Sequence, residues 1–449
     1  MAKYLELRCC RANVARGRND RATLEEKPDG TFLEKIGRIG DRINVKRRSY
    51  PMDLWDTEVD KLLSKGFEIV NTEKMVSKTL TDSNSVSEVE RPLDDQEVQE
   101  ILDYLRSFAK EKMSQTFLVR VEDIKDEDIN AAAEILKKLL ESEDMISVSV
   151  FNQMLDRLHM KVPRNIPNVR KDHVVSKEQY KEKLQKEQDI FDFMIDQVHR
   201  LRNDSKRLIE IGQTILERYE IDMRPATPEE LDTVKKKMKD AADRITRVWK
   251  ISNKKTEKYF DNYCKKYKLG EYCDKPFDTK TPQGEAHNGI AELFHGSGTE
   301  NWFSIFTGGL WLRPELLGAR ICGKAFGHGI YFAPLAQKSM GYTSSRGAYW
   351  TNGQENRGYM AIFKVATGEI YDIYGEENGV PDNYNQLQSK HGKHADCTWA
   401  MSKKTNNSSY LMNEEVIVYT DGSTREDQKD VSEDNKLSQC TIEYLIEFA

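Results

Sequence analysis

Four short stretches in the C-terminal half carry residues whose types and spacing could do chemistry. Leu293-Phe294-His295-Gly296-Ser297 is an apolar strand pattern ending in a polar triplet. In Phe326-Gly327-His328-Gly329-Ile330-Tyr331-Phe332-Ala333, two glycines let the backbone approach a partner closely, just before an aromatic strand. Lys338-Ser339-Met340-Gly341-Tyr342 reads as a helix start and sets a second tyrosine eleven residues after Tyr331. Asn413-Glu414-Glu415-Val416-Ile417-Val418-Tyr419 opens an apolar strand with a carboxylate, a costly position unless the charge has a task. Each stretch also has a bland reading. His-Gly is commonly a turn, a strand-start glutamate is commonly exposed, and this Gly-x-Gly lacks the third glycine of the dinucleotide fingerprint. Their succession in one order over about 120 residues is what asks for a common explanation.

A fifth cluster, His391, His394, Asp396 and Cys397, has metal-like residue types and an H-x-x-H spacing. It lies in a loop rich in Lys and Gly, with no partners to orient the imidazoles, and is read as no metal site.

The elements that must hold these stretches fall into three regions of a 449-residue chain, a length that suggests about three domains. Charged residues make up 32% and hydrophobic ones 38%, which suits helix-rich domains with charged faces. No run approaches the ~18 apolar residues of a membrane span, and the first residues lack a signal-peptide apolar block, which argues against a membrane or secreted protein. Seven scattered cysteines without a C-x-x-C pair point to a reducing compartment. The net charge of −6 hides an asymmetry: residues 1–50 carry +6 and the remainder −12. A basic front end is compatible with a nucleic-acid contact and equally with a solvated charged face.

Residues 3–75 read as short strands and one closing helix. Lys27-Pro28-Asp29-Gly30 is a hairpin turn signal, and the helix marked by Trp55, Val59, Leu62 and Leu63 ends at Lys65-Gly66. Residues 76–94 are a polar linker. From 95 to about 213 the apolar period is 3.6: Val98, Ile101, Leu102, Leu105 and Phe108; Ile129, Ala132, Leu136, Leu139 and Leu140; Val150, Met154, Leu155 and Leu158; then a helix opened by a capping box at Ser176 and Gln179. These stripes predict a helical bundle with packed cores. Beyond Pro225, a helix capped at Thr227-Pro228 leads into β-like runs at 245–251, 291–295, 329–333, 359–365, 415–419 and 441–448.

The texts LFHGSGTEN, FGHGIYFA, KSMGY, EEVIVY and IEYLIEFA resemble the catalytic domain of the poly(ADP-ribose) polymerase family, the diphtheria-toxin-like ADP-ribosyltransferases with a His-Tyr-Glu triad. The resemblance covers roughly 215–449. It implies His295, Tyr331 and Glu415 as the catalytic triad, with Glu415 chosen over Glu414 by aligning the Val-Ile-Val-Tyr strand. It further implies that His295, Ser297 and Asn301 meet the adenine-side ribose of NAD+. Gly296 and Ser339 would fix the nicotinamide carboxamide, and Tyr331 and Tyr342 would sandwich the ring, as suits a flat cation. Phe332, Ala333 and Lys338 complete the implied NAD+ site. Glu415 would stabilise positive charge as the glycosidic bond breaks and orient an acceptor hydroxyl. The segment Gly308–Lys324, with Arg313, Arg320 and Lys324, sits where the family has a donor-site loop. Keeping the glutamate implies chain extension, with the adjacent Glu414 as a departure from the usual neutral neighbour.

The front resembles the same family's other modules. VQEILDYLRSF, INAAAEIL and MLDRLHMKVPRN resemble its helical regulatory domain, and GRIG with Leu-Leu-Ser-Lys-Gly-Phe resembles a divergent WGR domain with Ile36 in place of the signature tryptophan. Gly37, Arg38, Arg42, Lys46, Arg47 and Arg48 are the implied DNA contacts, to phosphates rather than bases. The expected organisation is a multidomain α+β chain: a small β-rich WGR-like module (1–78), a linker (79–94), an all-α regulatory bundle (95–213) and a mixed α/β ADP-ribosyltransferase domain (214–449). The expected activity is transfer of ADP-ribose from NAD+ to Glu, Asp or Ser of protein acceptors, itself included, with extension to poly(ADP-ribose) and activation by nicked or damaged DNA in the DNA damage response. A mono-ADP-ribosyltransferase and a non-catalytic DNA- or NAD-binding scaffold are the alternatives. The expectations extend to no metal, no membrane, a monomer, and a nuclear location (cytoplasmic for a bacterial or viral source).

Overall fold

The computed structural model describes residues 3–11, 18–38, 45–71, 90–142, 145–166, 168–204, 212–270, 289–312, 327–349, 351, 353–374, 384–391, 396–401, 415–420 and 430–449. The chain divides into two units: residues 1–87 with 111–201, and residues 88–110 with 202–449.

In the first unit, alternation of apolar and polar side chains makes antiparallel strands β1 (Tyr4–Arg11), β2 (Arg18–Glu26), β3 (Thr31–Arg38), β4 (Lys46–Pro51) and β5 (Glu68–Asn71), in the order β4-β3-β2-β1-β5. Leu5, Leu7, Ala22, Leu24 and Phe32 pack under Trp55 and Leu62 of the helix Trp55–Ser64. The β2–β3 turn is the expected one: Lys27 N–H donates to the Thr31 carbonyl at 2.8 Å, the Asp29 carboxylate accepts from the Thr31 backbone at 3.0 Å, and Gly30 takes φ +79°. The helix stops at Lys65 as read, with Gly66 at φ +83°.

The helices Asp126–Glu141, Val148–Lys161 and Tyr180–Asp204 belong to the same stretch of chain. Asp126–Glu141 buries Ile129, Ala132, Leu136 and Leu139 as its stripe predicts. Val148–Lys161 buries Phe151, Leu155, Leu158 and His159, whereas Val150 is 42% exposed. The face is turned because Phe151 stacks on Tyr180 with ring centroids 4.0 Å apart. The capping box expected at Ser176 does not form. The Ser176 side chain makes no cap bond, and Gln179 Oε1 accepts from Val175 N–H at 2.8 Å instead. Arg8 of β1 donates to the carbonyls of Met160 and Lys161, at 3.2 and 3.3 Å, placing a cation on the end of that helix.

A charged cluster is sealed among these helices. Glu187 is buried and receives Arg164 on Oε2, with His159 Nε2 3.3 Å from the same oxygen and Lys183 Nζ 3.0 Å from Oε1. Lys183 also pairs with Asp172 at 2.7 Å. Burial would push the Glu187 carboxyl up, but Arg164, His159 and Lys183 together hold it well below the ordinary carboxylate range.

In the second unit, β6 (Ile221–Pro225), β7 (Ile245–Asn253), β8 (Ile290–Gly296), β10 (Gly358–Ala366) and β14 (Cys440–Phe448) form an antiparallel sheet in the order β6-β7-β14-β10-β8. A second sheet has the order β11-β12-β13-β9, made of β9 (Ile330–Phe332), β11 (Ile370–Tyr374), β12 (Cys397–Met401) and β13 (Glu415–Val418). Only β11 and β12 run parallel among the described pairs. Phe294 and Ala333 exchange two backbone hydrogen bonds of 2.8 Å, which tie the end of β8 to the end of β9. β10 is apolar almost throughout, β14 carries Glu443 and Glu447 paired with Lys250 and Arg247 among its apolar residues, and both strands are buried on both faces, as strands central to a covered sheet are.

The first apolar stripe departs from the predicted bundle. Val98, Ile101, Leu102 and Leu105, on the helix Gln96–Thr116, share a core with Trp249, Trp302, Tyr359 and Leu445 of the sheet domain. A helical period shows that a face is buried and says nothing of what it is buried against. Among the described residues, no helix is long and apolar enough to cross a membrane.

Candidate active site

The Phe294–Ala333 tie joins two of the four stretches singled out by sequence, and the packing of Gly296 on Ser339 brings in a third. His295 is the penultimate residue of β8, and its Nδ1 lies 2.9 Å from the Tyr331 carbonyl oxygen on β9, so Nδ1 carries the proton in that bond. The ring is walled by edge contacts to Trp302, Phe332 and Phe363. Tyr331 is fixed by its own hydroxyl, which donates to the Gly327 carbonyl at 2.6 Å. At Gly329, a Cβ would lie 2.2 Å from Ile417 Cγ2, so only glycine lets β9 pair this closely with β13.

β13 adds the fourth stretch. Its register pairs Ile417 with Tyr331, and Glu415, two residues earlier, shares the face of Ile417. Glu415 is 5% exposed. Lys338 and Tyr342, four residues apart around the helix Ala336–Met340 and its closing turn, both reach its Oε1. Lys338 Nζ stands 3.2 Å away, and the Tyr342 hydroxyl donates at 3.3 Å. Burial pushes the Glu415 carboxyl up, and the Lys338 ammonium, itself nearly buried, works against that shift. The net direction is upward.

Gly296 packs directly on the backbone of Ser339, where a Cβ would come within 1.8 Å of the Ser339 carbonyl oxygen. Beyond it, Asn301 Nδ2 donates to Ser297 Oγ at 3.0 Å and Trp302 Nε1 to the Ser297 carbonyl at 3.2 Å. Asn301 Oδ1 is buried with no hydrogen-bond partner among the described residues, an acceptor in want of a donor. Phe332 and Ala333 are buried, Phe332 in the core between the sheets. Arg313, Arg320, Lys324 and Glu414 lie outside the described residues.

Asp396 and Cys397 have structural surroundings. The Asp396 carboxylate accepts from the buried Tyr263 hydroxyl and from Glu369 N–H at 2.8 Å, and Cys397 is buried on β12. His394 is outside the described residues. Sequence reasoning passed over Glu300 and Ser344: Ser344 Oγ accepts from Thr299 N–H at 2.9 Å and donates to Glu300 Oε2 at 3.4 Å. The signal for Glu300 was its place inside the His-Gly-Ser-Gly-Thr-Glu-Asn run.

In the first unit, Gly37 and Arg38 lie on β3, and Lys46, Arg47 and Arg48 are exposed on β4, the edge strand. Their register sets Lys35 opposite Arg47 and Ile36 opposite Lys46. Ile36 packs partly against the module's core. Arg42 lies outside the described residues. Such charges also protect an open sheet edge from pairing with another chain.

Residues 228–449 match the family model described as the poly(ADP-ribose) polymerase catalytic domain. The chain is 26% identical over 169 residues to an uncharacterised protein, 101L, of Invertebrate iridescent virus 6, covering 37% of this chain and 68% of that one. It is 35% identical over 107 residues to human poly [ADP-ribose] polymerase 2, covering 24% of this chain and 16% of that protein. A putative poly [ADP-ribose] polymerase-like protein, 100L, of the same virus is 33% identical over 98 residues, 21% of this chain and 49% of its own length. The chain thus spans between 16% and 68% of the length of these relatives. The matched region contains β7 through β14 and the whole His295–Tyr331–Glu415 constellation, so the C-terminal part of this chain is a catalytic domain of the poly(ADP-ribose) polymerase family of NAD+ ADP-ribosyltransferases.

Proposed function

We propose that the protein transfers ADP-ribose from NAD+ to protein side chains and extends the product, stimulated by broken DNA. The observation that carries the transferase reading is Glu415: a nearly buried carboxylate, held through one oxygen by Lys338 and Tyr342, on the strand face of Tyr331 and two short links from His295. In this reading NAD+ lies along β8 and β9. Its adenosine half sits at Ser297 and Asn301, whose buried Oδ1 can accept a ribose hydroxyl proton. Its nicotinamide sits at the Gly296–Ser339 contact between Tyr331 and Tyr342. Glu415 Oε2, the oxygen not engaged by Lys338 and Tyr342, faces the charge that develops on the nicotinamide-side ribose. Support for a DNA contact is the exposed basic run Lys46-Arg47-Arg48 on an edge strand.

Incubation with labelled NAD+, with and without 5′-phosphorylated nicked DNA, tests the reading. Released nicotinamide with labelled protein supports transfer, a ladder supports extension, and discrete single-unit bands favour mono-transfer. A thermal shift with NAD+ but no nicotinamide released would make the protein a scaffold. Equal rates with and without DNA would remove the activation. A triple Lys46→Gln, Arg47→Gln, Arg48→Gln variant should bind duplex more weakly, and its log affinity should depend less steeply on log salt, by up to about 3 in slope. An unchanged slope would assign the cluster to edge protection.

Activity needs Glu415 ionised. Its carboxyl sits above the ordinary range, so the acid limb of kcat should lie higher than a free glutamate would put it. Lys338→Gln removes the opposing ammonium, so the limb should move further up, and the kcat lost on the limb should be recovered at higher pH. A limb that stays in place would separate Lys338 from control of this carboxylate.

A further inference from the structure

The loop after β8 holds a carboxylate that is not one of the triad residues. Glu300 lies in the turn Thr299–Asn301, between Ser297 and Asn301 in the chain. It folds back over Gly298: a Cβ on that glycine would lie 2.8 Å from Glu300 Oε2 and 3.1 Å from Oε1. Glycine leaves open the space that the carboxylate fills. Ser344 steadies it, donating to Oε2 at 3.4 Å while accepting from Thr299 N–H. A carboxylate thus lies over Gly298, the residue after Ser297, and belongs to the residue directly before Asn301, whose Oδ1 is buried without a partner among the described residues.

Beside a ribose, a carboxylate does two things. It accepts hydrogen bonds from the diol, and it repels a phosphate ester on either hydroxyl. Dinucleotide-binding folds use the same contrast, with Asp or Glu for a free 2′-hydroxyl and Arg for a 2′-phosphate. We propose that Glu300 determines donor specificity, admitting NAD+ and excluding 2′-phospho-NAD+ by placing a carboxylate where the extra phosphate would have to lie. The inference rests on the placement of the adenosine half at Ser297 and Asn301.

The test uses the full chain, as wild type, Glu300→Gln and Glu300→Asp. It measures kcat/KM for NAD+ and for 2′-phospho-NAD+, with calorimetric binding of ADP-ribose and 2′-phospho-ADP-ribose alongside. Glu300→Gln keeps the shape and removes the charge, so the NAD+ preference should fall about tenfold, chiefly through KM for the phosphorylated donor. The difference should shrink at high salt. Glu300→Asp should keep most of the preference, which a merely structural loss would not reproduce. A preference unchanged within about twofold in Glu300→Gln, with ADP-ribose still bound, would overturn the assignment and leave the transferase reading intact. Wild-type protein that binds neither ADP-ribose nor its phosphorylated form would overturn both.

Discussion

Glu415→Gln is expected to lower ADP-ribose transfer by on the order of 10²–10³, with KM for NAD+ changed far less. The amide keeps the side chain's size and can still accept from Tyr342, so the fold should survive. What disappears is the negative charge, and with it the attraction that strengthens only as the glycosidic bond breaks. Burial makes that charge costly to hold and, for the same reason, strong when used: in a site of low dielectric it acts on developing positive charge with little competition from water. Rates of nicotinamide release for both proteins at one pH give the answer. A variant within threefold of wild type would strip Glu415 of its role and turn attention to Glu414.

The second large effect concerns stability. Glu187→Ala should destabilise the first unit by about 3–5 kcal/mol, because it removes the buried carboxylate that Arg164 and Lys183 share and leaves Lys183 only Asp172 among the described residues. Urea unfolding followed by circular dichroism would show it as a lower midpoint. Removing both partners, as in Glu187→Leu with Arg164→Met, should recover part of the loss, since an apolar pair of similar volume avoids the stranded charge. A Glu187→Ala protein within 1 kcal/mol of wild type would mean that water reaches the cluster. The pH dependence has a definite sign. The Glu187 carboxyl is held well below its ordinary range, so its contribution is complete above that range and is lost only as pH falls through the depressed value.

Much of the catalytic region was legible because its strands are short, apolar and bounded by glycine. The runs at 290–296, 358–366 and 440–448 are found almost where periodicity put them, and the Glu415 strand begins on the residue chosen. Three things were not legible. β6, β11 and β12 were missed, being five-residue strands with polar or aromatic interruptions. The pairing of Lys338 and Tyr342 on one carboxylate oxygen depends on the register of β13 against β9, which a local pattern does not contain. The partner of the Val98–Leu105 stripe was misjudged for the same reason: sequence neighbours suggested a bundle, while the apolar surface large enough to cover it lay in the sheets.

That stripe has a consequence in time. The second unit closes on itself across residues 111–201, which fold elsewhere, so topologically they are an insertion within it. Leu105 leaves the ribosome some 340 residues before Leu445, its companion in the core. At about 5–20 residues per second, the face of Val98, Ile101, Leu102 and Leu105 waits roughly 17–70 s for its cover. Through that interval it is an adhesive stripe on a nascent chain, a natural client for a chaperone. A fragment cut at the start of the family match, near Pro228, would meet the converse problem, since the groove built to receive those four side chains would never be filled.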